Sequence, residues 1–387
     1  MWQNSTTTNN APEHIDGTNA QQGGAANGLF YVNDCVDERV YIFDKTGCLG
    51  SIPGGKGWGC ALDDAGNIIV RNDKETGTAH SFIIYPAGAT VESYGEPIML
   101  DVEVPLSGQT NFISASGDVL GKRGNIYMFP NGKTAINIIT MAVGEVVSTK
   151  AYEDLSLTGS TAGYVIPLNN NTENWIYQVR SSGYYIYSGG LNNALLAGRS
   201  STTAPSRNST VGGDYFTLSG HNIFIHASGA NYKGGFTVRD MTADEVICSV
   251  DPIGTLGYET GGNYSVANWV FAEKIDEGSY YIYQYCPSNG MAVYKLYDKN
   301  YTSIDDVISD SASDIEIYPN PVETTINIKS STEINDIEVY SIMGAKMKID
   351  VIYIGENAAI VDASALPQGV YLLKTNTISG AVKFLKK

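Results

Sequence analysis

Side chains that could hold a metal ion are few in this sequence, and they are poorly spaced. It has four histidines, at His14, His80, His221 and His226. His221 and His226 lie five residues apart in HNIFIH, and on a strand this spacing points the two rings to opposite faces. The segment Asp63-Asp64-Ala65-Gly66-Asn67 lacks the alternating ligands and the closing glutamate of a calcium loop. We therefore expect a turn at this segment and predict no metal site.

Motifs for phosphate binding or covalent catalysis are also missing. GGKGWG at 54–59 lacks the Lys-Ser/Thr ending of a phosphate-binding loop and leads into a strand. Serines are plentiful, but none lies in a G-x-S-x-G turn, and no pair of carboxylates is marked for glycoside cleavage. The sequence therefore predicts no catalytic residue and no cofactor.

The remaining candidates for recognition are aromatic side chains that stand near the starts of short strands. They are Trp58, Phe112, Tyr164, Tyr215 and Tyr264. Trp and Tyr present a flat apolar face with a polar edge, which suits stacking on a sugar ring or contact with a protein. The same side chains also pack between sheets. Both interpretations stay open, and we take these five as the candidate ligand-binding residues.

The elements that position these aromatics form a repeat from Gly28 to about Tyr301. Each unit has a short strand, a turn and an aromatic-rich hairpin, as in 66–88 and 279–298, and every unit except the first begins with a Gly-rich leader. Apolar and polar residues alternate within the hairpins, and the units start about 40 to 60 residues apart. This period predicts an all-β fold with a β-propeller at 29–301. Six blades fit best, with five or seven as alternatives. We expect a strand from 290–300 to complete the first blade.

Part of the second unit has a family resemblance. LDDAGNIIV at 62–70 resembles the turn-and-strand signature of NHL-type propellers. Ahead of the repeat, residues 1–28 are polar, lack Lys and Arg, and have no apolar core of a signal peptide. We expect a flexible segment there, and a signal peptide upstream of this sequence.

Charge and hydropathy exclude several classes of partner. The formal net charge is −17, so the chain would be repelled by nucleic acid and by an anionic membrane surface. The sequence contains no run of 18 apolar residues, so no transmembrane segment is predicted.

The five cysteines form no zinc motif. Cys35 and Cys48 flank a predicted hairpin, where they could either pair as a disulfide or pack as small hydrophobic side chains.

The pattern changes after an acidic, Ser-rich linker at 302–314. Seven short strands follow within 315–387, which predicts a small immunoglobulin-like sandwich. The expected strands are Ile315–Tyr318, Thr325–Lys329, Asp336–Tyr340, Lys346–Asp350, Ala358–Asp362, Gly369–Thr375 and Ala381–Leu385.

This C-terminal segment resembles the type A sorting domain of Bacteroidetes type IX secretion cargo. The resemblance rests on four elements in order: Tyr318-Pro319-Asn320-Pro321 before TINIK, Gly344 in IEVYSIMGAKM, Gly369 and Tyr371 in ASALPQGVYLLK, and the basic end at Lys386 and Lys387. It implies export by the type IX translocon and handling by sortase-like processing machinery. The expected location is the outer cell surface or the medium.

Two function classes follow for the propeller. The missing catalytic motifs and the implied surface address favour non-enzymatic binding of an extracellular glycan or protein. The alternative is an enzyme that acts on extracellular polysaccharide or peptide. A fold alone does not choose between them, because propellers carry many functions.

Overall fold

The computed structural model describes most of the chain, and its regular elements there are all β-strands. The described residues are 2–4, 20–44, 46–110, 112–131, 133, 135–153, 163–168, 174–179, 184–188, 191–195, 212–227, 235–251, 269–287, 290–299, 315–341, 345–376 and 381–387. The chain divides into two compact units, Met1–Tyr297 and Asp298–Lys387. The linker expected at 302–314 lies outside the described residues.

The first three blades of the N-terminal unit are antiparallel sheets of four strands each. Blade 1 contains β2 (Ala20–Ala26), β3 (Leu29–Asp34), β4 (Arg39–Asp44) and β5 (Gly47–Pro53); blade 2 contains β6 (Cys60–Leu62), β7 (Ile68–Arg71), β8 (Ala79–Tyr85) and β9 (Ile98–Glu103); blade 3 contains β10 (Ile113–Gly117), β11 (Gly124–Met128), β12 (Ile136–Ala142) and β13 (Glu145–Tyr152).

Three further blades follow with the same strand order. Blade 4 contains β14 (Gly163–Pro167), β15 (Asn174–Val179), β16 (Tyr184–Ser188) and β17 (Leu191–Leu195); blade 5 contains β18 (Gly213–Leu218), β19 (His221–Ala227), β20 (Phe236–Asp240) and β21 (Glu245–Val250); blade 6 contains β22 (Trp269–Asp276), β23 (Ser279–Cys286), β24 (Gly290–Tyr297) and, from the start of the chain, β1 (Trp2–Asn4).

The six innermost strands, β2, β6, β10, β14, β18 and β22, contact one another in order, and β22 contacts β2. The unit is therefore a closed six-bladed propeller, which confirms the all-β propeller prediction. Closure comes from the N-terminus, because Trp2 pairs with Val293 and Asn4 with Met291 in blade 6. The expectation that 290–300 would complete the first blade was wrong, since β24 belongs to blade 6.

Within 1–28, where a flexible segment was expected, the described residues 2–4 form β1 and residues 20–26 form the innermost strand of blade 1. Small residues suit the crowded innermost position of β2. A Cβ on Gly23 would lie 2.6 Å from the Tyr31 carbonyl oxygen, and one on Gly24 would lie 2.5 Å from Leu62 Cδ1. The strand therefore lacks the large alternating apolar residues by which a strand is usually recognised.

Polar side chains near the ends of the second strands of blades 1, 2 and 4 form hydrogen bonds to the next blade. Asn33, at the end of β3, donates from Nδ2 to the carbonyl oxygens of Gly55 (3.0 Å) and Gly57 (2.7 Å), in the connection to blade 2. At the end of β7, Arg71 donates from Nη1 to the Thr110 carbonyl oxygen (3.2 Å), ahead of blade 3. In β15, Gln178 accepts a hydrogen bond from the Gly212 N–H (3.3 Å), ahead of blade 5.

The glycines of GGKGWG lie in the first of these connections, where backbone passes close to backbone. A Cβ on Gly55 would lie 2.1 Å from the Arg71 carbonyl oxygen, and one on Gly57 would lie 2.4 Å from Arg71 Cβ. Packing between blades 1 and 2 therefore accounts for the Gly-rich sequence.

The C-terminal unit is a sandwich of two antiparallel four-stranded sheets. One sheet has the order β25 (Ile315–Tyr318), β26 (Thr325–Ser330), β30 (Ala358–Asp362) and β29 (Asp350–Tyr353); the other has β28 (Lys346–Met347), β27 (Ile337–Ser341), β31 (Gly369–Thr375) and β32 (Val382–Lys386). The sandwich prediction is confirmed, with one difference: the expected strand Lys346–Asp350 is divided between β28 and β29, which join different sheets.

Apolar residues from both sheets fill the sandwich, among them Ile326, Val339 and Phe384. The five cysteines, Cys35 and Cys48 included, are free thiols. In the part of the chain that the structure describes, no helix has the length and hydropathy needed to span a bilayer.

Candidate functional site

A cavity of about 430 Å³ lies where the innermost strands of all six blades meet. We call it the axial cavity. Its described lining comprises Gly24–Asn27, Ala61–Gly66, Ser114, Ala115, Tyr164, Ile166, Pro167, Gly213–Phe216, Phe271–Lys274 and Tyr280. The volume lies in the range of small-molecule sites.

Three carboxylates of the lining join neighbouring blades by accepting backbone hydrogen bonds. Asp64, after β6, accepts from the Gly117 N–H of blade 3 (2.6 Å). Asp214, in β18, accepts from the Ala272 N–H of blade 6 (2.9 Å). Glu273, in β22, accepts from Gly28 N–H beside blade 1 (2.9 Å).

These bonds leave acceptor capacity on each carboxylate, because an ionised carboxylate has about four lone-pair sites. Asp214 uses its second oxygen for the N–H of Tyr215 (2.8 Å), and Glu273 accepts from the Tyr283 hydroxyl (2.6 Å). The side chains are therefore held in fixed positions while they remain able to accept further hydrogen bonds.

Burial in the axial cavity favours proton retention by Asp64 and Asp214. Burial raises the pKa of Asp214 to about 7, and the charge of Asp64 adds to this rise, although the backbone donors oppose it. Burial also raises the pKa of Asp64 above its ordinary value. Asp64 and Asp214 come from blades 2 and 5, which lie opposite each other in the ring.

Two of the five predicted aromatics, Phe112 and Tyr164, pack against the same side chain, Trp269. Phe112 is 1% exposed, and its ring centroid lies 4.9 Å from that of Trp269 in an edge-on arrangement. Tyr164 is 6% exposed and packs edge-on against the same indole at 5.0 Å. Phe112 therefore belongs to the core between blades, whereas Tyr164 belongs to that core and also lines the axial cavity.

The other three predicted aromatics are separated. Tyr215 is half-buried in β18 and lines the axial cavity next to Asp214. Trp58 is half-buried in the connection between blades 1 and 2 and does not belong to the lining. Tyr264 lies outside the described residues. The structure thus brings Tyr164 and Tyr215 together at one cavity.

Sequence reasoning missed Asp64, Asp214 and Glu273 as members of a site. Asp64 lies in the segment predicted to be a turn, and Asp214 and Glu273 lie in the strand segments GGDYF and FAEK. The available signal was an acid within an otherwise apolar innermost strand. Their partners lie 53, 58 and 245 residues away in the chain, which no local pattern shows.

The segment Asp63–Asn67 forms the expected turn. Asp63 accepts hydrogen bonds from the N–H groups of Asn67 (2.9 Å) and Val119 (2.8 Å), and the Asn67 amide reaches Asp118 (3.0 Å). Asp63 and Asp118 thus accept hydrogen bonds that join blades 2 and 3. Over the described ranges, no group of three or more His, Cys, Asp or Glu side chains is arranged to hold a metal ion.

In the sandwich, the exposed segment Tyr318-Pro319-Asn320-Pro321 is attached to the last strand. Asn320 accepts a hydrogen bond from the Leu385 N–H (2.9 Å) and donates to the Lys383 carbonyl oxygen (3.3 Å). Val322 donates from its N–H to the Leu385 carbonyl oxygen (2.7 Å). The ammonium of Lys329 lies 5.5 Å from the centre of the Tyr318 ring.

The other sorting-signal residues lie on the sheet that contains β31 and β32. Tyr371 is buried, stacks on Phe384 at 5.6 Å, and donates from its hydroxyl to the Pro367 carbonyl oxygen (2.9 Å). Gly369 pairs with Lys386 at the start of β31, and Lys387 is exposed beyond it. Gly344 lies outside the described residues.

Residues 316–387 match the model of the secretion system C-terminal sorting domain. The C-terminal unit carries this sorting domain. The chain is therefore cargo of the type IX secretion system, as the resemblance implied, and it is exported to the cell surface or released. The sorting domain also implies handling by the type IX secretion machinery.

Solved structures resemble the chain in fold. A DUF4623 family protein from Bacteroides eggerthii DSM 20697 aligns with a TM-score of 0.55 at 12% identity, over 75% of this chain and 73% of that one. A structural genomics protein of unknown function from Bacteroides thetaiotaomicron VPI-5482 aligns with a TM-score of 0.48 at 15% identity, over 76% of each chain. No curated protein matches the sequence.

Proposed function

We propose that the exported propeller binds an extracellular glycan in the axial cavity and carries out no chemistry on it. The observation that carries this proposal is the composition of the cavity lining, in which Tyr164 and Tyr215 accompany three carboxylates that keep free acceptor sites. Sugar rings need a flat apolar surface and several hydrogen-bond acceptors, and this lining offers both.

The size of the axial cavity favours a glycan over a folded protein as the ligand. A standard protein interface buries about 800 Å² on each partner. A cavity of about 430 Å³ at the axis admits a small group only. A protein ligand would therefore have to use the outer surface of the blades, and the binding experiment below separates these cases.

A second candidate is hydrolysis of an extracellular polysaccharide. It is favoured by Asp64 and Asp214, which line one cavity from opposite blades, and by the raised pKa of Asp214, which suits a general acid. Against it, both carboxylates already accept backbone hydrogen bonds that join blades, so each has a structural role that needs no reaction.

The sorting domain fits a transient role before this function begins. We infer that sortase-like processing machinery removes it after passage through the translocon, leaving the propeller anchored at the outer surface or released. This supports a ligand of extracellular origin.

The test is binding of the purified full chain to an array of bacterial and host glycans and matrix proteins, with product formation read in parallel. We expect saturable glycan binding without product, and at least a tenfold loss in Tyr215→Ala. The control is Tyr281→Ala, which changes an exposed tyrosine outside the lining.

Three outcomes would contradict the proposal. Release of shorter oligosaccharides would establish the hydrolytic alternative. Equal losses in Tyr215→Ala and Tyr281→Ala would show that the cavity is not the site. Binding to proteins alone would assign the function to the outer surface of the blades.

A further inference from the structure

The described lining of the axial cavity has an uneven charge balance. Four acids line it, at Asp63, Asp64, Asp214 and Glu273, and the one base among the described lining residues is Lys274. The Lys274 ammonium is already paired with the carboxylate of Glu277. The lining therefore has more acidic than basic side chains, and an ammonium that entered it would favour the ionised form of Asp214, whose pKa burial raises to about 7.

A buried hydroxyl provides a second, independent sign of a ligand. Ser114, in β10, lines the axial cavity and is 3% exposed. Its Oγ has no hydrogen-bond partner in the described part of the chain. A buried polar group without a partner destabilises the fold, so a hydroxyl or ammonium that reached Ser114 would recover this free energy.

Aromatic side chains complete the chemistry of the lining. Tyr164, Tyr215, Phe216, Phe271 and Tyr280 surround the acids. The face of an aromatic ring attracts a cation, and the attraction grows when the cation is removed from water. Carboxylates and aromatic faces around one cavity are therefore suited to a ligand that combines an ammonium group with an apolar ring face.

We propose that the axial cavity selects a glycan with a free amino group, in which the ammonium lies among Asp64, Asp214 and Glu273 and a ring hydroxyl reaches Ser114. This inference rests on the proposed function, since it names the class of glycan for the same site. N-acetylation removes the positive charge of the sugar, so the carboxylates would have no cation beside them and the acetylated sugar would bind more weakly.

The experiment measures binding of the full chain to two trimers by calorimetry. One is a trimer of glucosamine, and the other is the same trimer with every amine acetylated. We expect the amine trimer to bind at least tenfold more tightly, with an advantage that falls as salt is added. This comparison uses the wild-type chain and does not depend on a variant that folds.

A pair of matched variants distinguishes binding in the axial cavity from attraction to the overall negative charge of the chain. Asp64→Asn removes one charge from the lining, and its remaining oxygen still accepts from Gly117. Asp101→Asn removes one charge from an exposed position on the outermost strand β9. We expect the first variant to lose about tenfold in affinity for the amine trimer and the second to bind as the wild type does.

The possible outcomes distinguish this inference from the function on which it rests. Equal affinity for the two trimers would overturn the selection for an amine and leave glycan binding intact. If Asp64→Asn and Asp101→Asn reduced the preference for the amine trimer equally, the preference would come from the overall negative charge of the chain, and the inference would be overturned. If no glycan on the array and neither trimer bound, both proposals would fall together.

Discussion

The propeller and the sorting domain use polar residues in opposite ways. In the propeller, Asn33, Asp214 and Glu273 lie inside and join one blade to the next. In the sorting domain, the core is apolar, and the polar member of the motif, Asn320, lies on the surface and joins its segment to β32.

This difference explains why the two regions differ in how much their sequences reveal. The sorting domain carries its signal in short motifs that follow one another in a fixed order along the chain, and such a signal stands out in one sequence. A cavity assembled from six blades draws its residues from distant positions, and each of them looks locally like a turn or a strand.

The largest expected effect concerns export. Deletion of Ile315–Lys387 removes the sorting domain while the propeller strands remain. We expect surface display, measured by protease access in whole cells of the producing bacterium, to fall to background, with the truncated chain retained in the periplasm. Asp101→Asn in the full chain is the control and should be displayed normally. Undiminished display after the deletion would contradict the assignment.

The next effect tests whether Asp214 is a buried acid of the propeller. Its pKa rises from 3.8 in the unfolded chain to about 7 in the folded one. The folded state therefore holds a proton that the unfolded state has lost, so Asp214 lowers stability as pH rises from about 4 to 7. Since Asp214 is half-buried, the loss is on the order of a few kcal/mol at most, at about 1.4 kcal/mol per pKa unit.

The measurement is the free energy of unfolding by denaturant for the wild type and Asp214→Asn between pH 4 and pH 8. We expect the difference between the two proteins to shift with pH in favour of the variant and to level off above pH 7. A difference that does not change with pH would mean that the Asp214 carboxyl titrates in the folded state as it does in water.

A smaller effect tests the packing between blades. Gly55→Ala places a Cβ against the Arg71 carbonyl oxygen, and we expect a cost of about 3 kcal/mol in the free energy of unfolding of the propeller. Gly77→Ala is the control, since its Cβ would meet nothing closer than 4.0 Å. Thermal melts of both variants should show a lowered propeller transition for the first only, with the sorting domain unaffected.

The smallest effect concerns the attachment of the sorting motif. Asn320→Ala removes the two hydrogen bonds to β32, and we expect a loss of about 1 kcal/mol in the stability of the sorting domain. Glu323→Ala changes an exposed neighbour and should have no effect. If both variants melt as the wild type does, the exposed motif does not depend on its attachment to the last strand.

The sequence was sufficient for the blade hairpins and for most of the sorting domain. GNIIV predicted the strand Ile68–Arg71, and SYYIYQYC predicted Ser279–Cys286, because β-branched and aromatic residues are concentrated in both. It was insufficient for Ala20–Ala26, where crowding at the axis requires small residues that give no strand signal.

The same limit applies to the axial cavity. Tyr164 and Tyr215, which line the cavity, were predicted as candidates from residue type, but Phe112 was predicted in the same way and is core. Position in the strand did not separate them, because which of the two rings reaches the cavity depends on packing between blades, where both lie against Trp269. Asp214 was missed because its role depends on the Ala272 N–H.

The central claim is that the axial cavity is where the propeller binds its ligand. The most direct measurement is hydrogen–deuterium exchange of the full chain with and without the glycan that binds most tightly on the array. We predict slower exchange in peptides that cover 61–66, 213–216 and 271–274, with no change in 316–387. Protection confined to outermost strands such as Ile98–Glu103, or to the sorting domain, would contradict the account.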